Sequence, residues 1–515
     1  MTATTAPNDT TVPPFPHAAP GALRGKRPFP QQARLELTNE TQRRNLHKAT
    51  TTIRSKREQR MSETPDWEDL RNAASAIKLD VGQRLADLLV EFTDQVEAHG
   101  GHVHWARDGE EANAIIVDLV NQSGATHVTK VKSMLTQEIG MNEALEEAGI
   151  SAQETDLAEL IVQLGHDTPS HIVVPAIHRG RAEVRDIFID NMPGADPTLS
   201  DNPADLAEAA RRFLRNQFME STCAISGANF GVAETGTVCI VESEGNGRMN
   251  LTLPDTLITV MGIEKLVPTF RDLEVFLQLL PRSATGERMN PYTSLFTGVS
   301  ADDGPGSFHI VLVDNGRTAT LSNPIGREAL KCIRCASCLN VCPVYERVGG
   351  HAYGSTYPGP IGSVLSPQLT GIDSASDPNG YLPFASTLCG RCNTVCPVMI
   401  PLTDLLVEMR YQKVRSHPAL GEKTLMRLAE LMWGKPALWK QVTRLVFLGR
   451  VLGKVPVSGN GTAITRLPGP LGAWTTTRDV PLPPTQSFRQ WWASEEAKQV
   501  IAANRPPASA SEEEK

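Results

Sequence analysis

The sequence predicts an α/β domain followed by a smaller, mostly α-helical domain held together by cysteine ligation. Three observations carry this expectation. Strand-like and helix-like runs alternate from about residue 102 to 320, which implies a largely parallel sheet with helices packed on it. Seven of the nine cysteines fall into two similar runs, KCIRCASCLNVCPVY at 331–345 and FASTLCGRCNTVCPVMI at 384–400. The chain between them (GGHAYGSTYPGPIGS) is so rich in Gly, Pro and Ser that it offers little periodicity for a core of its own.

Residues 1–30 are rich in Pro, Thr and Ala and read as a disordered arm. Between Arg24 and Arg60, eleven Lys or Arg stand against three Glu, although the whole chain has a net charge of −8. Such a run is either a solvated helical face or a surface that docks an acidic partner. From Trp67 to Gly100, Leu70, Ala74, Ile77, Val81, Leu85, Leu88, Leu89, Phe92 and Val96 recur at helical spacing. The pair Gly100 and Gly101 ends that run. HVHWA is then followed by a helix at EEANAIIVDLVNQS, THVTKV by one at TQEIGMNEALEEAG, and HIVVPAI by one at RAEVRDIF. TGTVCIVES, a Gly-rich EGNGR turn, LITVMGI and SFHIVLVDNGR complete the strand-like set. Past the second cysteine run, PLTDLLVEMRYQKV and TLMRLAELMWGKPALWKQVTRLVFLGRVLGK are amphipathic, with Trp433 and Trp439 among Lys and Arg. Such faces pack on a neighbouring domain, fit a partner groove or lie on a membrane surface. The expected organisation is a disordered, basic arm at 1–60, the α/β domain at 61–320, the cysteine domain at 321–410, and a helical region at 411–515 ending in a disordered PPASASEEEK tail.

Composition narrows the function classes. A hydrophobic content of 40% supports proper cores, and the negative charge argues against general nucleic-acid binding. No run of about 18 apolar residues reads as a transmembrane helix, so membrane contact would be peripheral. Nothing at the N-terminus resembles a secretory signal, which makes a reducing cytoplasm the expected compartment and disulfides unexpected.

The first run spaces Cys332, Cys335, Cys338 and Cys342 by two, two and three residues and closes with Pro343, the spacing of bacterial ferredoxins. Two-residue gaps let three sulfurs converge on one cubane, while the cysteine before proline points away and ligates the other cluster of a pair. The second run, Cys389, Cys392 and Cys396 before Pro397, supplies ligands for that exchange. Zinc competes, since paired C-x2-C groups also build zinc sites. A third cysteine at the same short spacing and a Cys-Pro ending, both repeated, favour two iron–sulfur clusters. The exchange rule gives one cluster Cys332, Cys335, Cys338 and Cys396, and the other only Cys342, Cys389 and Cys392. The missing first cysteine of the second run corresponds to Ser386, so the second cubane is expected to have an open or oxygen-ligated iron and to be convertible to a three-iron form.

Elsewhere the signals are weaker. In SGANFGVAETGTV (226–238), small residues surround Glu234, Thr235 and Thr237, so backbone amides could approach an anion, although such loops are also ordinary turns. Lys132, Ser133 and Met134, and the pair His171 and His178, are lesser candidates, and isolated histidines are usually satisfied polar side chains. Cys223 and Cys239 read as buried structural thiols. No G-x-G-x-x-G opens a helix after a strand, so a nicotinamide or flavin site of Rossmann type has no support.

Several of these stretches resemble a known family in order and spacing. KSMLTQEIGMNEALEEAGI, ETDLAELIVQLGHDTPSHIVVPAIH, SGANFGVAETGTV and the two cysteine runs are similar to the lactate utilization protein B family, across about Arg34 to Leu402. The resemblance implies an N-terminal LUD domain related to the sugar-phosphate isomerase (NagB/RpiA) and CoA-transferase folds, followed by the iron–sulfur domain. It also implies a place among other subunits of a three-component system that oxidises L-lactate to pyruvate, in which this chain carries electrons. The physical reading agrees but is less specific: a cubane passes one electron at a time, and no organic redox motif accompanies the clusters, which suits relay better than primary oxidation. An oxidoreductase in its own right, with a small-acid site at the 226–238 loop, and a scaffold with structural clusters are the alternatives.

Overall fold

The computed structural model describes residues 16–19, 21–418, 420–451, 463–484 and 486–504; residues 1–15 of the arm and the tail from 505 lie outside them. The chain divides into two units, 1–417 and 418–515.

The first unit is built on a parallel sheet. Its strands are β1 (His102–Ala106), β2 (His127–Lys130), β3 (Ser151–Glu154), β4 (Cys223–Gly227), β7 (Thr256–Gly262) and β10 (Ser307–Val313), in the order β1-β10-β7-β4-β2-β3. Every pairing is parallel. The central strands β4 and β7 are buried along nearly their whole length, as expected where helices cover both faces. After β2 the chain steps outward to β3; after β4 it proceeds the other way through β7 and β10. The strand order therefore reverses between β2 and β4, and a crevice opens there at the carboxyl ends, where open α/β sheets bind ligands. A second sheet, in the order β8-β5-β6-β9, comprises β5 (Phe230–Val232), β6 (Thr237–Glu242), β8 (Leu266–Val267) and β9 (Tyr292–Phe296).

Several sequence expectations change. HIVVPAI is not a strand: the His171 ring accepts the N–H groups of Val173 and Val174 through Nδ1 at 3.1 and 3.0 Å, curling the backbone just before Pro175. The short β3, too polar to show periodicity, takes that place in the sheet. The long helix after Trp67 is two, α3 (Trp67–Gln83) and α4 (Leu85–Ala98) in this chain's count, broken at Arg84. The arm, expected to be disordered over 1–30, packs on the fold from residue 16: the Ala18 N–H donates to the Leu369 carbonyl at 2.8 Å, Leu23 is fully buried, and the latter half folds into α1 (Phe29–Glu36) and α2 (Glu40–Ser62). Asn39 caps α2 by accepting the Gln42 N–H, and Gln42, Leu46, Thr50 and Arg57 form its buried stripe.

The Gly-Pro-Ser stretch also makes core. Gly359–Thr370 is a helix with Ile361, Val364, Leu365 and Leu369 buried, and Gly362 is required there because a Cβ would meet the Tyr357 carbonyl oxygen at 1.5 Å. These side chains share one apolar cluster with Leu46, Trp67, Leu70, Phe230 and Phe276. The cysteine region and the α/β region are thus welded by common packing.

The second unit contains helices Leu420–Gly434 and Pro436–Val451, with Trp433 and Trp439 edge to face at 6.4 Å. A two-residue pairing of Ala463–Ile464 with Val480–Pro481 and helices Phe488–Trp492 and Glu495–Ala503 follow. Among the described residues no helix is long and apolar enough to cross a membrane.

Candidate iron–sulfur site

Both cysteine runs fold as tight loops that feed short helices. In the first, Arg334 and Ala336 take left-handed conformations (φ 61° and 60°), and in the second Leu388 and Met399 do so (54° and 53°). Four non-glycine residues with positive φ so close together cost roughly 1–3 kcal/mol each and persist only where the surroundings impose them. The curl aims backbone N–H groups at sulfur: Arg334 N–H donates to Cys332 Sγ at 3.4 Å and Ile400 N–H to Cys396 Sγ at 3.3 Å. Donors of this kind set the potential of thiolate-held clusters.

The sulfurs of the two runs intermingle. Burial raises the Cys338 thiol well above its ordinary value, and the thiols of Cys332, Cys335, Cys392 and Cys396 raise it further. Burial likewise pushes Cys396 up to about 12, with Cys335 and then Cys332 of the other run adding to it. Cys392 is pushed up to about 11 by burial and then by Cys342, and the sulfur that raises Cys342 is that of Cys389. Six of the seven are buried or half-buried, and Cys389 is exposed.

These residues fit iron–sulfur clusters better than zinc. Four thiolates 2.3 Å from one zinc would stand about 3.8 Å apart. Among the described residues no three cysteine sulfurs lie within 4.8 Å of one another. The buried Tyr353 hydroxyl lies against the Cys342 sulfur, a donor placed to serve that thiolate. Ser386 accepts the Leu388 N–H through Oγ at 3.1 Å, so its oxygen already serves the loop.

Cations unforeseen in the sequence surround the sulfurs. Arg57, from the basic stretch, is buried, donates to the Val395 carbonyl at 2.9 Å and lies 5.7 Å over the Trp67 ring, beside Cys335. Arg71 donates through Nε to the Cys396 carbonyl at 3.0 Å. Arg334 stacks 4.7 Å over Tyr357 and donates to Glu264 at 3.2 Å. Desolvation disfavours its charge, but Cys332, Tyr357 and Glu264 outweigh this. For Arg57, then, neither a solvated face nor partner docking applies. The only signal in the sequence was its place on the stripe with Leu46 and Thr50.

A cavity of about 380 Å³ lies against the Cys332 loop, at the β2/β4 crevice. Lys132, Ser133 and Met134 line it, whereas of the 226–238 loop only Gly227–Asn229 do. Glu234 instead accepts the Phe270 N–H at 2.6 Å and the Thr235 and Thr237 hydroxyls bond each other, so these three are structural. Gly227 leaves room for Ser133, whose Oγ would lie 2.6 Å from a Cβ there. His171 and His178 are not brought together as ligands. His171 Nε2 meets Asn340 Oδ1 at 3.0 Å and burial pushes the ring down to about 4. His178 meets Asp167 at 2.8 Å near His351, but Arg179 occupies the same carboxylate oxygen at 2.5 Å. Cys223 and Cys239 are fully buried, pushed up to about 11 and 12 by desolvation.

Comparison with known proteins agrees with this architecture. Family models match in series: the LUD domain at 89–313, a 4Fe-4S dicluster domain at 328–400, and the lactate utilisation protein B C-terminal region at 408–497. The last covers the part for which the sequence suggested no motif. A lactate utilization protein B of Oceanobacillus iheyensis is 43% identical over 469 residues, 90% of this chain and 95% of its own length. That of Bacillus subtilis is 40% identical over 480 residues, 92% and 97% of the two chains. A DUF162 family protein of Deinococcus radiodurans, known from its crystal structure, aligns over 44% of this chain and 98% of its own at 15% identity with a TM-score of 0.26, and does not bear on the fold at that score. Near-full-length identity of this order, with all three family regions in sequence, means that the chain belongs to the lactate utilization protein B family.

Proposed function

We propose that this chain is the iron–sulfur electron-transfer subunit of a lactate-utilization system that oxidises L-lactate to pyruvate, working with other subunits of that system in the cytoplasm. Cys332, Cys335, Cys338 and Cys396 would hold one cluster, and Cys342, Cys389 and Cys392 the other. The observation that supports this reading is that sulfurs of the two runs are neighbours, Cys396 of Cys332 and Cys335, Cys342 of Cys389 and Cys392, and Cys338 of both Cys392 and Cys396, the division into two sets following the ferredoxin exchange rule. When bound, such clusters supply one-electron transfer. The chain's own residues do the rest. Arg57, Arg71 and Arg334 offset thiolate charge in a buried site, and the raised thiols make ligation a proton-releasing step. Exposure of Cys389 brings the three-cysteine set to the surface, where a partner protein can exchange electrons with it. The α/β region, 61–320, is read as a relative of the sugar-phosphate isomerase and CoA-transferase folds, with 321–410 as the iron–sulfur division and 411–515 as the helical C-terminal one.

The cavity beside the Cys332 loop favours a second reading, an oxidoreductase with its own small-acid site. The two readings separate in one experiment. Anaerobically prepared protein, reduced stepwise and followed by electron paramagnetic resonance, should accept electrons from lactate only when co-purified partners are present. Turnover of lactate by the isolated chain with an artificial acceptor would establish the second reading instead.

A further inference from the structure

The fold uses only part of the basic stretch between Arg24 and Arg60. Arg24, Arg54, Lys56 and Arg60 pair with carboxylates, and Arg57 binds the Val395 carbonyl. Lys26 and Arg27 line a cleft that also holds Glu143 and Glu146. Arg34, Arg43, Arg44 and Lys48 remain, and their side chains make no hydrogen bond or ion pair among the described residues. Arg44 and Lys48 stand one turn apart on the exposed face of α2. Arg43 and Arg44 line a surface groove with Arg347, an exposed and likewise unpaired residue of the helix Pro343–Val348. Two carboxylates share that groove. Glu346 is bonded to His47 at 2.6 Å and to Arg54 at 3.2 Å, which leaves Glu40, in the first turn of α2, to set against three arginines.

The groove stands beside the second cysteine set. Cys342 caps the start of the Pro343–Val348 helix, so Arg347 lies about 7.5 Å further along the axis. The Cys389 sulfur adjoins that of Cys342 and is exposed. Around it Arg391 is exposed and unpaired, and Phe384 and Met399 present apolar surface to solvent. A few apolar side chains over a redox group, rimmed by charge of one sign, make up a transient electron-transfer interface: small, weak, and dependent on opposite charge for its rate of encounter. We propose that this face, with Arg43, Arg44, Lys48 and Arg347 beside the Cys342–Cys389 pair, docks an acidic one-electron carrier protein. The proposal deepens the relay reading and rests on it. One electron crosses between the carrier's redox centre and the cluster of Cys342, Cys389 and Cys392; one partner is oxidised and the other reduced by that electron, and no bond or proton moves. Because the chain as a whole is acidic, with a net charge of −8, its field steers an acidic carrier to this basic face and away from the rest.

Stopped-flow reduction of the full-length, cluster-loaded chain under anaerobic conditions tests this. The reductants are flavodoxin hydroquinone, an acidic protein that gives up one electron to become the semiquinone, and the methyl viologen radical, a small cation. The second-order rate with flavodoxin is expected to fall roughly tenfold between about 20 mM and about 500 mM salt. In the combined Arg43→Gln, Arg44→Gln, Arg347→Gln variant it should fall about fivefold at low salt and lose most of its salt dependence, while reduction by viologen does not slow. Iron content and circular dichroism confirm that the variant is folded. If it loses iron, the exposed Lys48→Gln carries the test, with a rate about twofold below the parent at low salt. A flavodoxin rate that ignores salt, one that the substitutions leave unchanged, or no reduction by flavodoxin of clusters that viologen reduces overturns the proposal. So does binding to phosphatidylglycerol vesicles that the same substitutions abolish while the flavodoxin rate stays at the parent value, which would make the face a lipid contact. Clusters that neither reductant reduces would overturn the relay reading and this one with it, so failure of the docking face alone is a separate result.

Discussion

Replacing Arg317 by Gln should destabilise the protein strongly at neutral pH and much less in mild acid. Arg317 donates through Nε to Glu264 at 2.6 Å and through Nη1 and Nη2 to Glu138 at 2.8 and 3.0 Å, and all three side chains are buried. Burial pushes the Glu264 carboxyl up, but Arg317, Arg334 and Lys265 outweigh it and hold it at about 2. Against an unfolded value of about 4.3, at about 1.36 kcal/mol per pH unit, this is roughly 3 kcal/mol of stability. Because the folded value is depressed, that stability is complete above the unfolded value and is lost only as the pH falls through about 2. Without Arg317, Glu264 keeps Arg334, and Glu138 keeps the Tyr357 hydroxyl at 2.5 Å and the Asn315 amide at 2.7 Å. Breaking a buried pair of this kind costs about 3–5 kcal/mol. A stranded carboxylate can escape by taking up a proton, which costs about 3.7 kcal/mol at pH 7 but only about 1 kcal/mol at pH 5. The defect should therefore shrink by up to about 2.7 kcal/mol over those two units. Urea midpoints of parent and variant at pH 7 and pH 5, read by tryptophan fluorescence on anaerobic protein, check this. A defect below about 1 kcal/mol at pH 7, or one that does not change with pH, refutes the reasoning.

Other outcomes follow from the cysteine loops and the shared core. Oxidised protein should show a three-iron paramagnetic signal that Cys389→Ala abolishes while the Cys332 set keeps its cubane; iron analysis giving two stable, fully thiolate-ligated cubanes would count against the three-cysteine set. Chelation should bleach the protein and open the loops at 332–342 and 386–398 to protease, yet leave the buried Gly359–Thr370 helix protected, and cleavage within that helix first would contradict the packing. The segment 61–320 alone, which its strand and helix pattern suggests would fold without iron, should instead bind a hydrophobic dye and unfold without cooperativity. Its Trp67, Leu70 and Phe276 lose the neighbours they have in the cysteine region, and a sharp, chelator-independent transition would show that the shared core is dispensable.

The sequence by itself determined the features whose causes are local. The cysteine spacing carries ferredoxin chemistry because a ligand loop is specified within a dozen residues, and β1, β2, β6, β7 and β10 were legible because their apolar runs sit between turn signals. Where the local signal was misleading, tertiary contacts decided. HIVVPAI has strand composition but turns about the His171 ring, and GPIGSVLSPQLT has breaker composition but forms a buried helix because its glycines admit close packing. The site's electrostatics was legible nowhere in the chain. Arg57 meets Val395, Arg71 meets Cys396, and Glu138, Glu264, Arg317 and Arg334 converge across nearly 200 residues of sequence. A buried charge is tolerable only when a partner arrives to compensate it, and that partner is chosen by the packing of the sheet against the cysteine loops rather than by any neighbour in sequence. The same packing made Lys132 and Ser133, minor candidates on sequence, the lining of the crevice, and removed Glu234, Thr235 and Thr237 from it.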